Sequence, residues 1–518
     1  MQKLAFALDI RQGESMSSRD KRAKLNIVTS LASQLVAVIC GLIVPKVMLD
    51  GFGSEAYGAV ASITQFLSYI ALLEGGIGGV ARAVLYKPLA EGNTYRVGVI
   101  VSEVKRFFKL VGIVFVVYAL IIACTFKYFS GVEALDWLTT FALVISIGIS
   151  VFAQYFIGLS YQVLLIADQR AYVTLISTIV TTAVNAVLTV ILVKAGCGIV
   201  VVKLVSSIVF LARPIVMMVY AKKRYGLKKV PKKDEKLLSQ KWEGLGQHIA
   251  YFLHSNTDIA LLTLISDLKN VAVYAVYNMV VVNIQSVCYS FVSGMEAVFG
   301  DMLAREEHSE LKRTYGMYET MVSIASVVLF SVTAVMIIPF VRLYTANLTD
   351  ANYIEPLFAV ILTAASLLYC LRMPAHSLII AAGHFKQTRI AAYGETVINV
   401  LLSVILVFKF GIVGVAIGTL VATLFRFVYY AVYLGKNILN KNVFSFAVRQ
   451  LINAATFSAL VSGGYFAVSQ LEIGSYIYWC LISVAVTVAA LAVTGAVNGL
   501  CYPKDFKQML IFLFNKRK

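Results

Sequence analysis

Arg372 and His376 stand one helical turn apart in the predicted helix over 354–382, which from Pro356 on is otherwise uncharged. Arginine offers a planar fork that grips carboxylate or phosphate oxygens in pairs, and histidine titrates near neutrality. A cation so far inside an apolar segment pairs with protein or meets a substrate or ion, and this pair is a contact candidate. Tyr251, His254 and Asp258 follow one another at i, i+3 and i+7, so they share a helix face. A buried carboxylate there is a candidate for ion coupling, with His254 as its local partner. Asn278, Gln285, Tyr289 and Glu296 form a polar stripe over about five turns of one helix, within about 40° of each other. Such a stripe faces protein or a wet cavity, and the number of polar groups favours the cavity. Glu74 and Arg82 flank a glycine-rich segment, Gly75-Gly76-Ile77-Gly78-Gly79, as either a structural ion pair or a substrate contact. Arg213 and Arg426 each lie nine or ten residues before a terminal lysine, where they snorkel to headgroups or line the inner part of a cavity.

These groups need membrane helices to hold them. The 518 residues are 59% hydrophobic and 14% charged, with a mean hydropathy of +0.82. About 20 apolar residues cross the hydrocarbon core, and the pattern predicts 14 such helices. They lie at about 25–49, 56–80, 107–126, 138–165, 171–193, 197–220, 247–266, 271–297, 316–341, 354–382, 389–408, 413–434, 449–469 and 476–498.

The net charge of +18 would suit nucleic acid, but its placement argues otherwise. With a cytoplasmic N-terminus, 35 Lys and Arg fall in cytoplasmic tails and loops and 6 in the opposite loops. That asymmetry is a topology signal, returns both termini to the cytoplasm, and attracts anionic lipids. No nucleic-acid partner is expected. The seven cysteines are scattered without metal-ligand spacing, so neither metal nor disulfide is expected, and no cofactor.

Residues 164–223 recur as 378–436. Val184-Asn185 answers Ile398-Asn399, Gly198-Ile199-Val200 answers Gly411-Ile412-Val413, and Arg213 answers Arg426. More weakly, Asp50 and Tyr57 answer Asp267 and Tyr274. Duplication at a long period in a membrane protein points to a transporter of two related halves. The expected fold is all-α and polytopic, with two pseudo-symmetric six-helix bundles and two appended helices. Its parts are a cytoplasmic tail over 1–24, lobes over 25–220 and 247–436, a basic linker over 221–246, further helices within 437–498 and a tail over 499–518. The two appended helices read as lipid-facing, because their interiors carry few polar groups. Where the repeat breaks, function is expected: Arg372 and His376 stand opposite Gly158 and Gln162.

Four motifs carry a resemblance: R-A-K-L-N-I-V-T-S from Arg22, with Pro45 beyond it, L-D-G-F-G-S-E-A-Y-G from Leu49, L-L-E-G-G-I-G-G-V-A-R ending at Arg82, and T-D-I-A-L-L from Thr257. Over residues 20–500 the chain resembles the polysaccharide-transporter branch of the multidrug/oligosaccharidyl-lipid/polysaccharide flippase superfamily. The resemblance implies two six-helix bundles around a basic cavity, in a bacterial-type cytoplasmic membrane. It also implies that a polyprenyl-pyrophosphate-linked oligosaccharide crosses from inner to outer leaflet by alternating access, for cell-surface polysaccharide export. Glu74 and Arg82 match the acidic-then-basic pattern ending the second helix, and Asp258 the acidic position of the seventh. On that reading Arg82, Arg372, Arg213 and Arg426 meet the pyrophosphate, and Asn278, Gln285 and Tyr289 meet sugar hydroxyls. Asp258 or Glu296 couples a proton or Na⁺, or the substrate gradient alone drives transport. The protein is expected to work as a monomer.

A multidrug cation antiporter of the same superfamily is the alternative, but the first and third to sixth helices hold no interior acid. A membrane glycosyl polymerase or acyltransferase fits less well, because the outer loops are short and the long linker lacks histidine and paired carboxylates.

Overall fold

In the computed structural model the described residues are 16–74, 77–227, 256–292, 295–440 and 442–514, and all regular structure among them is helical. Eleven helices are long and apolar enough to cross a membrane. Two of these, over 24–74 and 386–437, exceed 50 residues. At about 1.5 Å per residue each would span more than 70 Å against a hydrocarbon core of about 30 Å, so each contains two spans. Both break at a glycine with positive φ: Gly53 at +79° and Gly411 at +53°.

The chain divides into two compact units, residues 1–249 and 250–518. In the first, α1 (Met16–Ser68) ends in a 3₁₀ segment (Tyr69–Glu74) and is followed by α2 (Ile77–Ala90) and α3 (Thr94–Ser130). Next come α4 (Trp137–Ala153), a π turn (Gln154–Gly158), α5 (Leu159–Ala167), α6 (Ala171–Lys194) and α7 (Ile199–Tyr225). Asn93 and Asp136 cap α3 and α4, each accepting a backbone N–H three residues on. α1 packs chiefly on α6, and α7 on both α4 and α6. Asn26, from the first motif, stitches α1 to the α5–α6 turn: it donates to the Gln169 carbonyl at 2.9 Å and accepts the Tyr172 N–H at 2.8 Å.

The second unit contains α8 (Asn256–Ile265), α9 (Leu268–Val292), α10 (Met295–Ala304), α11 (His308–Tyr344), α12 (Pro356–Ala381) and α13 (Phe385–Asn437). It ends with α14 (Val443–Ser469), α15 (Tyr476–Cys501) and α16 (Pro503–Phe514). α11 is its hub, packed by α9, α12, α14, α15 and α16.

Three expectations change. α1 begins at Met16, inside the stretch read as a tail, and the C-terminal tail holds the 12-residue amphipathic α16. The appended helices are not merely lipid-facing: Arg449, Asn453 and Thr456 of α14, and Thr494 and Asn498 of α15, are buried. Arg449 donates to Glu319 of α11 at 2.7 Å and to Asp505 of α16 at 2.6 Å. Burying a guanidinium in a membrane protein requires such counter-charges, so α14 is anchored through its polar face.

Candidate functional site

Glu395, on the first arm of α13, is fully buried and holds two guanidiniums. Arg372 of α12 donates through Nη1 to Oε1 at 2.5 Å, and Arg426, on the second arm of α13, through Nη1 to Oε2 at 2.5 Å. Arg426 also donates to the Tyr430 hydroxyl at 2.8 Å. The His376 ring stacks on Tyr430 with centroids 5.9 Å apart and planes 9° from parallel, and Arg372 lies 4.9 Å from the Tyr369 ring. Two arginines on one carboxylate leave a net positive charge in the interior. Arg372 is therefore no lone cation: it, Arg426 and His376 belong to one cluster, built by the kink at Gly411 that folds the two arms of α13 together.

The first repeat copy keeps the geometry and omits the charge. Thr181 stands where Glu395 does, and Arg213 donates through Nε to its hydroxyl at 2.6 Å and through Nη2 to Thr182 at 2.8 Å. Gly158 replaces Arg372, in the π turn, and Gln162 replaces His376, accepting from Gln154 at 2.9 Å. The second copy thus holds a carboxylate and a second arginine that the first lacks, at facing positions.

A second polar cluster joins α8, α9 and both arms of α13. Asp258 Oδ2 accepts from the hydroxyls of Tyr274 at 2.8 Å and Thr419 at 3.0 Å, and the Thr419 hydroxyl accepts from Asn399 at 2.9 Å. Gly414 and Gly418 make this possible. A Cβ on Gly418 would stand 2.3 Å from Ser403 Oγ and one on Gly414 would stand 2.3 Å from the Leu406 carbonyl oxygen, so the two arms meet backbone to backbone. Among the described residues Asp258 Oδ1 and Asn399 Oδ1, both buried, have no hydrogen-bond partner. These two oxygens are the open acceptors of the cluster. His254, the expected partner of Asp258, lies outside the described residues.

The other candidates are more dispersed. Asn278 and Gln285 on α9 are half-buried and Tyr289 is exposed. Glu296 is exposed on α10. Glu74 ends the 3₁₀ segment while Arg82 lies on α2, so the two belong to separate elements. Sequence reasoning passed over Glu395, Asn399 and Thr419 as partners. Glu395 had a signal, since it breaks the repeat against Thr181 just as Arg372 breaks it against Gly158.

No protein-family model matches the chain, and no curated protein matches it. Solved structures do. The chain is similar to "Lipid II flippase MurJ, inward closed conformation" at a TM-score of 0.66 and 14% identity, over 92% of this chain and 99% of that one. The chain shares the fold of that structure. It is also similar to an inward-facing "multidrug resistance MATE family transporter of the MOP superfamily" at a TM-score of 0.60 and 15% identity, over 79% of this chain and 98% of that one. A third match, the "MATE multidrug transporter DinF-BH", has a TM-score of 0.56 and 17% identity over 81% of this chain and 97% of that one. At these identities the likeness shows a shared all-helical membrane fold and nothing of role or substrate.

Proposed function

We propose that the protein is a flippase that carries a polyprenyl-pyrophosphate-linked oligosaccharide from the inner to the outer leaflet by alternating access, serving cell-surface polysaccharide export. The observation that carries this reading is the charge at the two matching repeat sites among the described residues. Unit 2 holds two arginines on one carboxylate, and unit 1 holds Arg213 among threonines. Such a surplus of guanidinium suits an anionic, pyrophosphate-bearing cargo and opposes a cationic drug. The fold supports the same choice: the lipid II flippase covers 92% of this chain, the multidrug structures 79–81%. Arg82 and the half-buried Asn278 and Gln285 remain its candidate contacts with phosphate and sugar, with Tyr289 beside them.

Asp258 is the proposed coupling group, with Asn399, Thr419 and Tyr274 around it. A proton or Na⁺ bound there would meet the two open oxygens and neutralise a carboxylate inside the membrane. Glu74 and Glu296 are secondary candidates for the same role.

The test is reconstitution of the full-length protein in liposomes with a fluorescent polyprenyl-pyrophosphate oligosaccharide on one leaflet. Protein-dependent loss of that label to an impermeant quencher on the other side is expected. Export of an organic cation without any lipid movement would refute the flippase and revive the antiporter, and an elongated sugar product would indicate a polymerase.

A further inference from the structure

The repeat extends beyond the stretch where sequence identities reveal it. α3 and α11 are both 37 residues long, and their first and last residues are both 214 apart. In that register Val101 answers Tyr315 and Lys105 answers Glu319. In the register that aligns Arg213 with Arg426, Lys222 answers Gly435. These three pairs line two corresponding cavities. The one in unit 2, about 110 Å³, is lined by Tyr315, Glu319, Gly435 and Arg449. There the acidic position is satisfied from within the chain, by the guanidinium that α14 inserts between Glu319, Asp505 and the Tyr502 ring, 4.0 Å away.

The cavity in unit 1 is larger, about 360 Å³, and its sign is reversed. Lys105, Arg106, Lys109 and Lys222 converge on it beside the buried Tyr161, and among the described residues of unit 1 no appended helix fills it. Lys105 donates to the Tyr161 hydroxyl at 3.3 Å, and Lys109 lies 5.1 Å from the Phe156 ring. Arg106 pairs with Glu103 at 2.9 Å, whereas no carboxylate among the described residues pairs with Lys105, Lys109 or Lys222. A surplus of cations gathered in a concavity calls for an anion.

The depth of the site identifies that anion further. On α3 the residues between Lys109 and Lys127 carry no charge, and at 1.5 Å per residue the two lysines stand about 27 Å apart, close to the hydrocarbon thickness. Lys105 and Lys109 therefore sit at the level of the lipid phosphates, on the side the Lys/Arg asymmetry assigns to the cytoplasm. Val101 and Leu227 give the same cavity an apolar flank.

We propose that this cavity binds a phosphate-bearing anion, and that its depth and apolar flank make the ligand an anionic phospholipid headgroup of the cytoplasmic leaflet. The site is separate from the transported cargo and does not depend on it.

The test uses purified full-length protein, native mass spectrometry, dioleoylphosphatidylglycerol and dioleoylphosphatidylcholine. Phosphatidylglycerol is expected to bind preferentially and to weaken with salt. At about fivefold per lysine, the triple variant Lys105→Gln, Lys109→Gln, Lys222→Gln should lose on the order of a hundredfold in affinity. The matching triple arginine variant should retain it, which separates lost charge from lost folding, and the melting temperature of each is measured alongside. Equal binding of both lipids, a folded glutamine variant that binds like wild type, or an arginine variant that folds and fails to bind would overturn the proposal. Glycerol 3-phosphate distinguishes the sources: failure to compete supports the bilayer lipid, and competition as strong as that of phosphatidylglycerol itself overturns the lipid assignment in favour of a soluble phosphate.

Discussion

Arg426 meets Glu395 at 2.5 Å across the two arms of α13, at the same pair of repeat positions where Arg213 meets Thr181 at 2.6 Å. The same contact recurs in both copies, as a guanidinium on a neutral hydroxyl in the first and as an ion pair in the second. Because Glu395 also holds Arg372, the carboxylate and the second arginine form a matched addition.

Removing the carboxylate alone should therefore be costly. Glu395→Gln leaves two buried guanidiniums without a counter-charge and is expected to destabilise the protein by about 3–5 kcal/mol. The double variant Arg372→Gly, Glu395→Thr, which restores the first-copy residues, should recover most of that loss. Thermal unfolding in detergent decides it, and a double variant as unstable as Glu395→Gln would count against the pairing.

At the Asp258 cluster the expected loss is of coupling with folding retained. Asp258→Asn keeps an acceptor for Tyr274 and Thr419 but removes the charge, so stimulation of transport by a proton or Na⁺ gradient should disappear. Transport that remains equally gradient-dependent in the variant would exclude Asp258 as the coupling group.

The backbone contact between the arms of α13 admits no side chain. Gly418→Ala places a methyl 2.3 Å from Ser403 Oγ and 2.8 Å from the Ser403 backbone nitrogen. A loss of about 1–3 kcal/mol is expected from overpacking. Because the backbone nitrogen stays, Ser403→Ala should not rescue it; a full recovery of melting temperature in the double variant would show that the arms can separate cheaply.

Arg449→Met should loosen α16, since Arg449 links Asp505 to Glu319. A loss near the lower end of about 3–5 kcal/mol is expected, because Asp505 is only partly buried. Amide exchange over residues 503–514 reads the release directly, and exchange unchanged from wild type would mean that apolar packing holds α16.

Spans and repeat were legible because both are written in long runs: apolar length sets the helices, and an offset near 214 persists over many residues. Pairing was harder to read. Arg372 and His376 advertise themselves on one helix face, whereas Glu395 and Arg426 lie on opposite arms, and only the turn at Gly411 brings them together. Asn399 and Thr419 escaped for the same reason, being 20 residues apart across that turn. α16 was missed because 12 residues are too short to register as a span. Arg449 opens the span at 449–469 with nothing nearby in the sequence to pair it, because its partner lies 130 residues earlier.

That separation has a consequence for synthesis. Glu319 leaves the ribosome 130 residues before Arg449, and at about 5–20 residues per second the interval is roughly 6 to 26 seconds. For that time α11, the hub of unit 2, waits in or near the membrane with an acid whose counter-ion does not yet exist. The nascent chain must keep Glu319 protonated or in contact with water until α14 arrives, so the last spans made complete the charge of a helix inserted long before them.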